Sequence, residues 1–294
     1  MKIAVIELGS NSCKVLLAES HKSPKTLVES RIPCRIAAFL NASGELSPEG
    51  VKLVLDTLAE ANQLVQEAGQ IYLLGTEALR RVAGIKALGK TIKINTGLEL
   101  KVLSAEEEAR LAFLGATAGQ TLKGKIVFFD TGGLSTEVVF TQDDRIKRFQ
   151  SFKLGAVALA GKYLTRMPMA NSCFYGLEEH IAKIMKFKPP HNPILIGAGG
   201  VVTTCAAVAL GLPEYDSQRL EGYYLSRMEV FRQIALYRSM SLDEIKAVPG
   251  MDASRADTIL AGTMIILRIM DVLGVISLKV SARGVSYGYL ATLK

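Results

Sequence analysis

Tryptophan is absent from this 294-residue chain, and histidine occurs only at His21, His180 and His191. None of the three has a partner at metal-ligand spacing, which argues against a zinc site or a histidine-based nucleophile relay. The four cysteines, Cys13, Cys34, Cys173 and Cys205, form no CxxC pair. They read as reduced, mostly structural thiols rather than a disulfide framework. Without tryptophan or a basic–aromatic motif, the net charge of +7 points to phosphate chains rather than to a specific nucleic acid.

Hydrophobic residues make up 49% of the chain and mean hydropathy is +0.25, so membrane segments have to be considered. Residues 189–213 hold no Asp, Glu, Lys or Arg, which is long enough to span a bilayer. Gly197, Gly199, Gly200 and Gly211 divide that run into strand, turn and helix. The apolar region after Asp257 is broken by Arg268 and Asp271. The N-terminal run carries Glu7 and no cleavage site, unlike a signal peptide. The reading is a cytoplasmic protein without a membrane partner, with homodimer formation left open.

Residues 126–140, IVFFDTGGLSTEVVF, organise the chain. Four large apolar residues lead to Asp130, a Gly132-Gly133 turn follows, and apolar residues resume after Glu137. Two buried strands joined by a tight polar turn fit this pattern. An acid at a strand end beside glycine N–H groups and Ser/Thr hydroxyls suits metal and phosphate binding, although an ordinary hairpin reads the same way. The chain opens on a second copy, IAVIELGSNSCKVLL, in which Glu7 precedes Asp130 by 123 positions. Two halves built on one plan follow from this repeat.

Between the copies, Ser47 and Pro48 begin a helix. Residues 70–74 form a strand running to Thr76 and Arg80, both able to donate to phosphate. Ser104 and Glu107 make a capping box, and the helix dipole accounts for Glu106 and Glu107. Glu108, about a turn in from the cap, is a candidate general base. The small polar stretch 117–125 marks a boundary, giving domains 1–118 and 119–294. Residues 26–38 continue the first sheet, and 145–154 the second. Residues 189–196 feed a glycine turn at the N-terminus of a helix, a ready anion site at Gly199. Ser241 and Glu244 make another capping box. Residues 255–273 read as a long buried helix, 276–280 as a strand and 284–293 as a final helix.

The stretches IELGSNSCKVLLAE, LGTEALRRV, LSAEEEARLAFLGA, FFDTGGLSTEVVF, SFKLGAVAL, LIGAGGVVTTCAAV, RADTILAG and SARG together resemble the exopolyphosphatase/guanosine pentaphosphate phosphohydrolase (Ppx/GppA) family. They occur in the family's order and match its short, two-domain form. The resemblance implies an α/β fold of two actin-like, ribonuclease H-like domains around a central cleft. It implies hydrolysis of terminal phosphate from polyphosphate or pppGpp with Mg²⁺. Glu108 matches the catalytic glutamate. Asp130 and Glu137, with Glu7, match metal-binding acids. Gly9, Ser10, Asn11 and Ser12 match one phosphate loop, Gly132, Gly133, Ser135 and Thr136 a second, and Thr76, Arg80 and Gly199 add phosphate contacts.

Three departures stand out. Glu7 replaces an Asp, Leu134 replaces the third glycine of the second loop, and Val285-Ser286-Tyr287-Gly288 replaces Leu-Arg-Glu-Gly. If position 134 needs a positive φ, leucine there is strained. A small-molecule kinase of the same fold and a non-catalytic sensor of polyphosphate or guanosine nucleotides are the alternatives.

Overall fold

Uninterrupted apolar runs specify strands buried on both faces, and the two repeated stretches form such strands. In this computed structural model, which describes residues 1–19, 25–118, 123–142 and 145–293, the chain divides into two compact units. One comprises Met1–Ala118 with Val285–Lys294, the other Gly119–Gly284. His21 and the centre of the 117–125 stretch lie outside the described residues.

In the first unit β1 (Lys2–Leu8), β2 (Ser12–Glu19) and β3 (Lys25–Pro33) form an antiparallel meander. β4 (Gln70–Gly75) runs parallel to β1, and β5 (Leu100–Val102) parallel to β4, giving the order β3-β2-β1-β4-β5. Ile3, Ala4, Val5 and Ile6 are at most 1% exposed, as their unbroken apolar run requires. The sheet expected over 26–38 ends at Pro33. Arg35, at φ 42°, then turns the chain into a 3-10 helix at Ile36–Phe39. The helices are α1 (Pro48–Leu64), α2 (Glu77–Arg80), α3 (Ile85–Thr96) and α4 (Ala105–Thr117). Ser47 caps α1 with Pro48 at its start, and Ser104 and Glu107 form the expected capping box on α4.

The second unit repeats the plan. β6 (Lys125–Thr131), β7 (Thr136–Gln142) and β8 (Arg145–Phe152) make its meander. α5 (Ala156–Tyr163) and α6 (Asn171–Ile184) precede β9 (Ile194–Ala198), which pairs parallel to β6. Next come α7 (Gly200–Leu210), α8 (Ser217–Leu220), β10 (Tyr224–Ser226), α9 (Arg227–Ser239) and α10 (Leu242–Lys246). α11 (Ile259–Leu273) and β11 (Ser277–Val280) complete it. The order is β10-β11-β9-β6-β7-β8. Setting aside edge strand β10, both sheets share one strand order and one mixture of parallel and antiparallel pairs. This is the ribonuclease H-like α/β arrangement, present twice.

α11 is shorter than the 255–273 helix expected, because Asp252 caps a separate 3-10 turn at Ala253–Arg255. Its Ile259, Leu260, Ile265, Ile266 and Ile269 are fully buried in the second unit's core. Burial pushes the Cys34 thiol up to about 11 and the Cys205 thiol up to about 12, so both stay protonated, as structural thiols should. The final helix, α12 (Val285–Thr292), returns to the first unit and packs on α4. Gly288 makes that packing feasible: a Cβ there would stand 1.8 Å from the Leu111 carbonyl oxygen. Among the described residues, no helix is long and apolar enough to cross a membrane.

Candidate active site

The two hairpin turns have one geometry. Gly9 donates its N–H to the Ser12 carbonyl at 3.1 Å, and Gly132 donates to the Ser135 carbonyl at 2.9 Å. The Ser10 carbonyl accepts from Ala37, and Asn11 accepts from Cys34 and Arg35. In the second turn, Gly132 accepts from Ala156, and Gly133 from Val157 and Ala158. Carbonyls are thus tied to the segment that follows each meander. Among the described residues, the N–H groups of Ser10, Asn11, Gly133 and Leu134 donate to no backbone carbonyl. Such unengaged N–H groups on a turn suit an anion.

This geometry corrects part of the expected loop chemistry. The Gly9 and Gly132 N–H groups close the turns and do not present themselves to a ligand. Thr136 is fully buried and its hydroxyl donates to the Leu154 carbonyl at 2.6 Å, so its side chain is not a phosphate donor. Leu134 carries no strain, because the positive-φ non-glycine residues are Arg35 and Asn192 among those described. The close approach at this turn is made instead by Gly155, whose Cβ would lie 2.3 Å from Gly133 C and Leu134 N.

The strands place the acids in matched register. Glu7 lies opposite Lys14 in the β1–β2 pair, and Asp130 lies opposite Glu137 in the β6–β7 pair. Lys14 and Glu137 are again 123 positions apart, a repeat visible in the sequence once the register is known. The Lys14 ammonium donates to Glu7 Oε1 at 2.9 Å, and Ser286 donates to Glu7 Oε2 at 3.1 Å. In the second hairpin, the Ser151 hydroxyl donates to Glu137 Oε1 at 2.9 Å.

Also in the first unit, the ends of β1, β4 and β5 bring together further predicted residues. Thr76 donates its N–H to the Leu8 carbonyl at 3.2 Å, beside the first turn. Arg80 donates to Glu77 at 2.6 Å, to Glu108 Oε2 at 2.5 Å and to the Leu103 carbonyl at 2.9 Å. Burial works against the Arg80 cation, but Glu108 and Glu77 outweigh it and its pKa is raised. Of the three consecutive glutamates opening α4, Glu106 and Glu107 are exposed and Glu108 is drawn onto Arg80. Burial and charge therefore separate three residues that local spacing separated only weakly.

In the second unit, Gly199 takes φ +94°, and a Cβ on it would meet Asp130 Oδ1 at 2.4 Å. The glycine lets the turn before α7 pass against this acid. The sequence reading missed Arg255, 8% exposed, whose guanidinium covers Gly200 at the start of α7 and donates to Asp252. It also missed Ser151 and, although it singled out Ser286 as a departure, the bond from Ser286 to Glu7; both depend on pairings that sequence periodicity does not encode. An open groove of about 740 Å³, lined by Val208, Leu236, Met240 and Val248, lies at the opposite end of α7 from Asp130.

A hard dication such as Mg²⁺ takes oxygen ligands, commonly one or two carboxylates completed by water and substrate phosphates. Asp130 and Glu137, directly opposed on one face of β6–β7, fit that requirement. No group of three or more His, Cys, Asp or Glu side chains able to hold a metal is present among the described residues.

The model of the Ppx/GppA phosphatase family matches residues 15–293. Among curated relatives, a bifunctional 3-dehydroquinate synthase/phosphatase of Fusobacterium nucleatum is 25% identical over 92% of this chain and 43% of its own. A guanosine-5'-triphosphate,3'-diphosphate pyrophosphatase of Aliivibrio fischeri is 24% identical over 99% of this chain and 60% of its own. Exopolyphosphatase 1 of Mycobacterium tuberculosis is 22% identical over 95% of this chain and 84% of its own. The chain thus spans about half the length of the first two relatives. A crystal structure of the Aquifex aeolicus Ppx/GppA family member is similar over 99% of this chain and 97% of that one, with a TM-score of 0.83 and 25% identity. With the family model matching nearly end to end on a fold that carries Glu108, Asp130 and Glu137 at strand and helix ends, the chain belongs to the Ppx/GppA phosphatase family.

Proposed function

We propose that this protein is a cytoplasmic phosphohydrolase that releases terminal phosphate from inorganic polyphosphate, pppGpp or both, with Mg²⁺. The carrying observation is the opposed Asp130–Glu137 pair beside a turn whose Gly133 and Leu134 N–H groups donate to no backbone carbonyl. Phosphoryl transfer needs positioning and charge neutralisation more than covalent chemistry, and these residues supply both. The names of the Aliivibrio and Mycobacterium relatives support the two substrates.

In this reading the turn N–H groups of Ser10, Asn11, Gly133 and Leu134, with the Ser12 and Ser135 hydroxyls, bind phosphate oxygens. Asp130 and Glu137 would hold Mg²⁺, which would supply positive charge to offset that of the phosphates. Glu108, oriented by Arg80, accepts a proton from the attacking water as its oxygen bonds to the terminal phosphorus. The bridging P–O bond breaks, and its electron pair leaves on the shortened chain. Arg80 offsets the charge that develops. The N-terminal domain covers residues 1–118 and the C-terminal domain starts at 119, with the last helix assigned to the first.

The test is phosphate release from a panel of polyphosphates, pppGpp and ATP, with and without Mg²⁺. Release from polyphosphate or pppGpp only with Mg²⁺ is expected. Absence of release from every compound would overturn the proposal.

A further inference from the structure

Glu7 occupies the same register position as Asp130, and each of its oxygens accepts a hydrogen bond. One accepts from Lys14 at 2.9 Å and the other from Ser286 at 3.1 Å, with the Glu7 side chain only 6% exposed. A buried carboxylate so paired has its charge balanced locally. To bind a dication it would have to release a cation that then faces the metal at close range. At Asp130 the residue opposite is a second acid, Glu137, instead of a lysine.

The second anchor comes from α12, 279 positions along the chain. Tyr287, the next residue, donates to Glu29 at 3.3 Å and meets the Thr26 hydroxyl at 3.0 Å. α12 is thereby fastened to β1 through Ser286 and to β3 through Tyr287. The added methylene that distinguishes Glu7 from an aspartate extends its reach towards Ser286 and Lys14.

We propose that Glu7 is a positioning residue rather than a metal ligand: with Ser286 it fixes the Lys14 ammonium near the first turn, where Lys14 meets the phosphate chain of the substrate. The role of Lys14 rests on the phosphohydrolase reading; the exclusion of Glu7 from the metal does not. Removing the Ser286 hydroxyl leaves Glu7 Oε2 without that donor and loosens the carboxylate against which the Lys14 ammonium is set.

The experiment compares Ser286→Ala, Glu7→Gln and Asp130→Asn with wild type. Mn²⁺ binding to substrate-free protein is read from the free-ion electron paramagnetic resonance signal, and KM and kcat are read at saturating Mg²⁺. Glu7→Gln and Ser286→Ala should bind Mn²⁺ within about twofold of wild type, whereas Asp130→Asn should lose ~10-fold or more. Ser286→Ala should raise KM several-fold with kcat little changed, and Ser286→Thr, which keeps the hydroxyl, should restore it. A Mn²⁺ loss in Glu7→Gln matching that in Asp130→Asn overturns the proposal, as does an unchanged KM in Ser286→Ala. Should Glu7→Gln not fold, Ser286→Ala decides by the same two readouts. If wild type releases no phosphate, the activity reading fails, and the Mn²⁺ comparison still decides whether Glu7 holds metal.

Discussion

The two hairpins share strand pairing, turn length and turn hydrogen bond, and differ in what stands across from the acid. Glu7 faces Lys14; Asp130 faces Glu137. One backbone device thus appears once with a base opposite the acid and once with a second acid opposite it. Directly opposed carboxylates repel each other, and a cation placed between them would lessen that repulsion. Equal backbones do not imply equal chemistry. A single cross-strand residue sets the sign of the charge that faces the acid beside each turn.

The largest effect should come from a residue on neither hairpin. Glu108→Gln keeps the shape of the side chain but removes its basicity, so kcat should fall by ~10²–10⁴-fold with substrate affinity largely kept. Near-normal phosphate release by this variant would move the base onto one of the hairpins. Next, Glu137→Lys gives the second hairpin the charge pairing of the first. Phosphate release should fall by ~100-fold or more and lose its dependence on added Mg²⁺. A variant retaining wild-type Mg²⁺ dependence would break the comparison.

Leu134→Gly tests the turn itself. Because Leu134 is 9% exposed and has no positive φ, glycine should relieve nothing and remove buried side-chain volume. A loss of about 3 kcal/mol by denaturant unfolding is expected, from lost packing and chain entropy. An increase in stability would show that leucine is strained there.

The smallest effect concerns the α4 cap that sets the approach to Glu108. The Ser104 backbone N–H and hydroxyl hold the Glu107 carboxyl below its ordinary value of 4.5. A lowered folded-state pKa stabilises above the unfolded value and is lost as pH falls through the folded one. Glu107→Ala should therefore cost about 0.5 kcal/mol at pH 7, and the difference should shrink below pH ~4. A deficit that persists unchanged at low pH would assign it to packing.

Much of this was legible in local sequence. Apolar runs ending in Glu7 and Asp130 gave both hairpins, and Ser104 with Glu107 gave the start of α4. These signals lie within a few residues of one another and express backbone chemistry. What escaped depends on distant partners. The Ser286 anchor on Glu7 spans 279 positions and carries no periodic signature. Arg255 read as the start of a helix because its neighbours are apolar at helical spacing, whereas Asp252 captures it in a separate turn. The condition under which leucine would be strained at position 134, a positive φ, is not met, and a glycine elsewhere, Gly155, makes the close backbone approach. α9 was not read at all, since RMEVFRQIALYRS interleaves charge with apolar residues and buries only Val230, Gln233, Ile234 and Tyr237.

The return of α12 to the first unit has a consequence for synthesis. Residues 119–284 are contiguous, so the second unit can fold as soon as it has left the ribosome, whereas the first unit is incomplete until residues 285–292 appear. Throughout translation of the intervening segment, α4 would lack Gly288 against Leu111, and Glu7 would lack the Ser286 hydroxyl. Closing a loop of that length adds entropy that local contacts in β1–β2 do not repay alone. The β1–β2 hairpin is thus made before the second unit yet completed after it, and activity should appear only once α12 has docked.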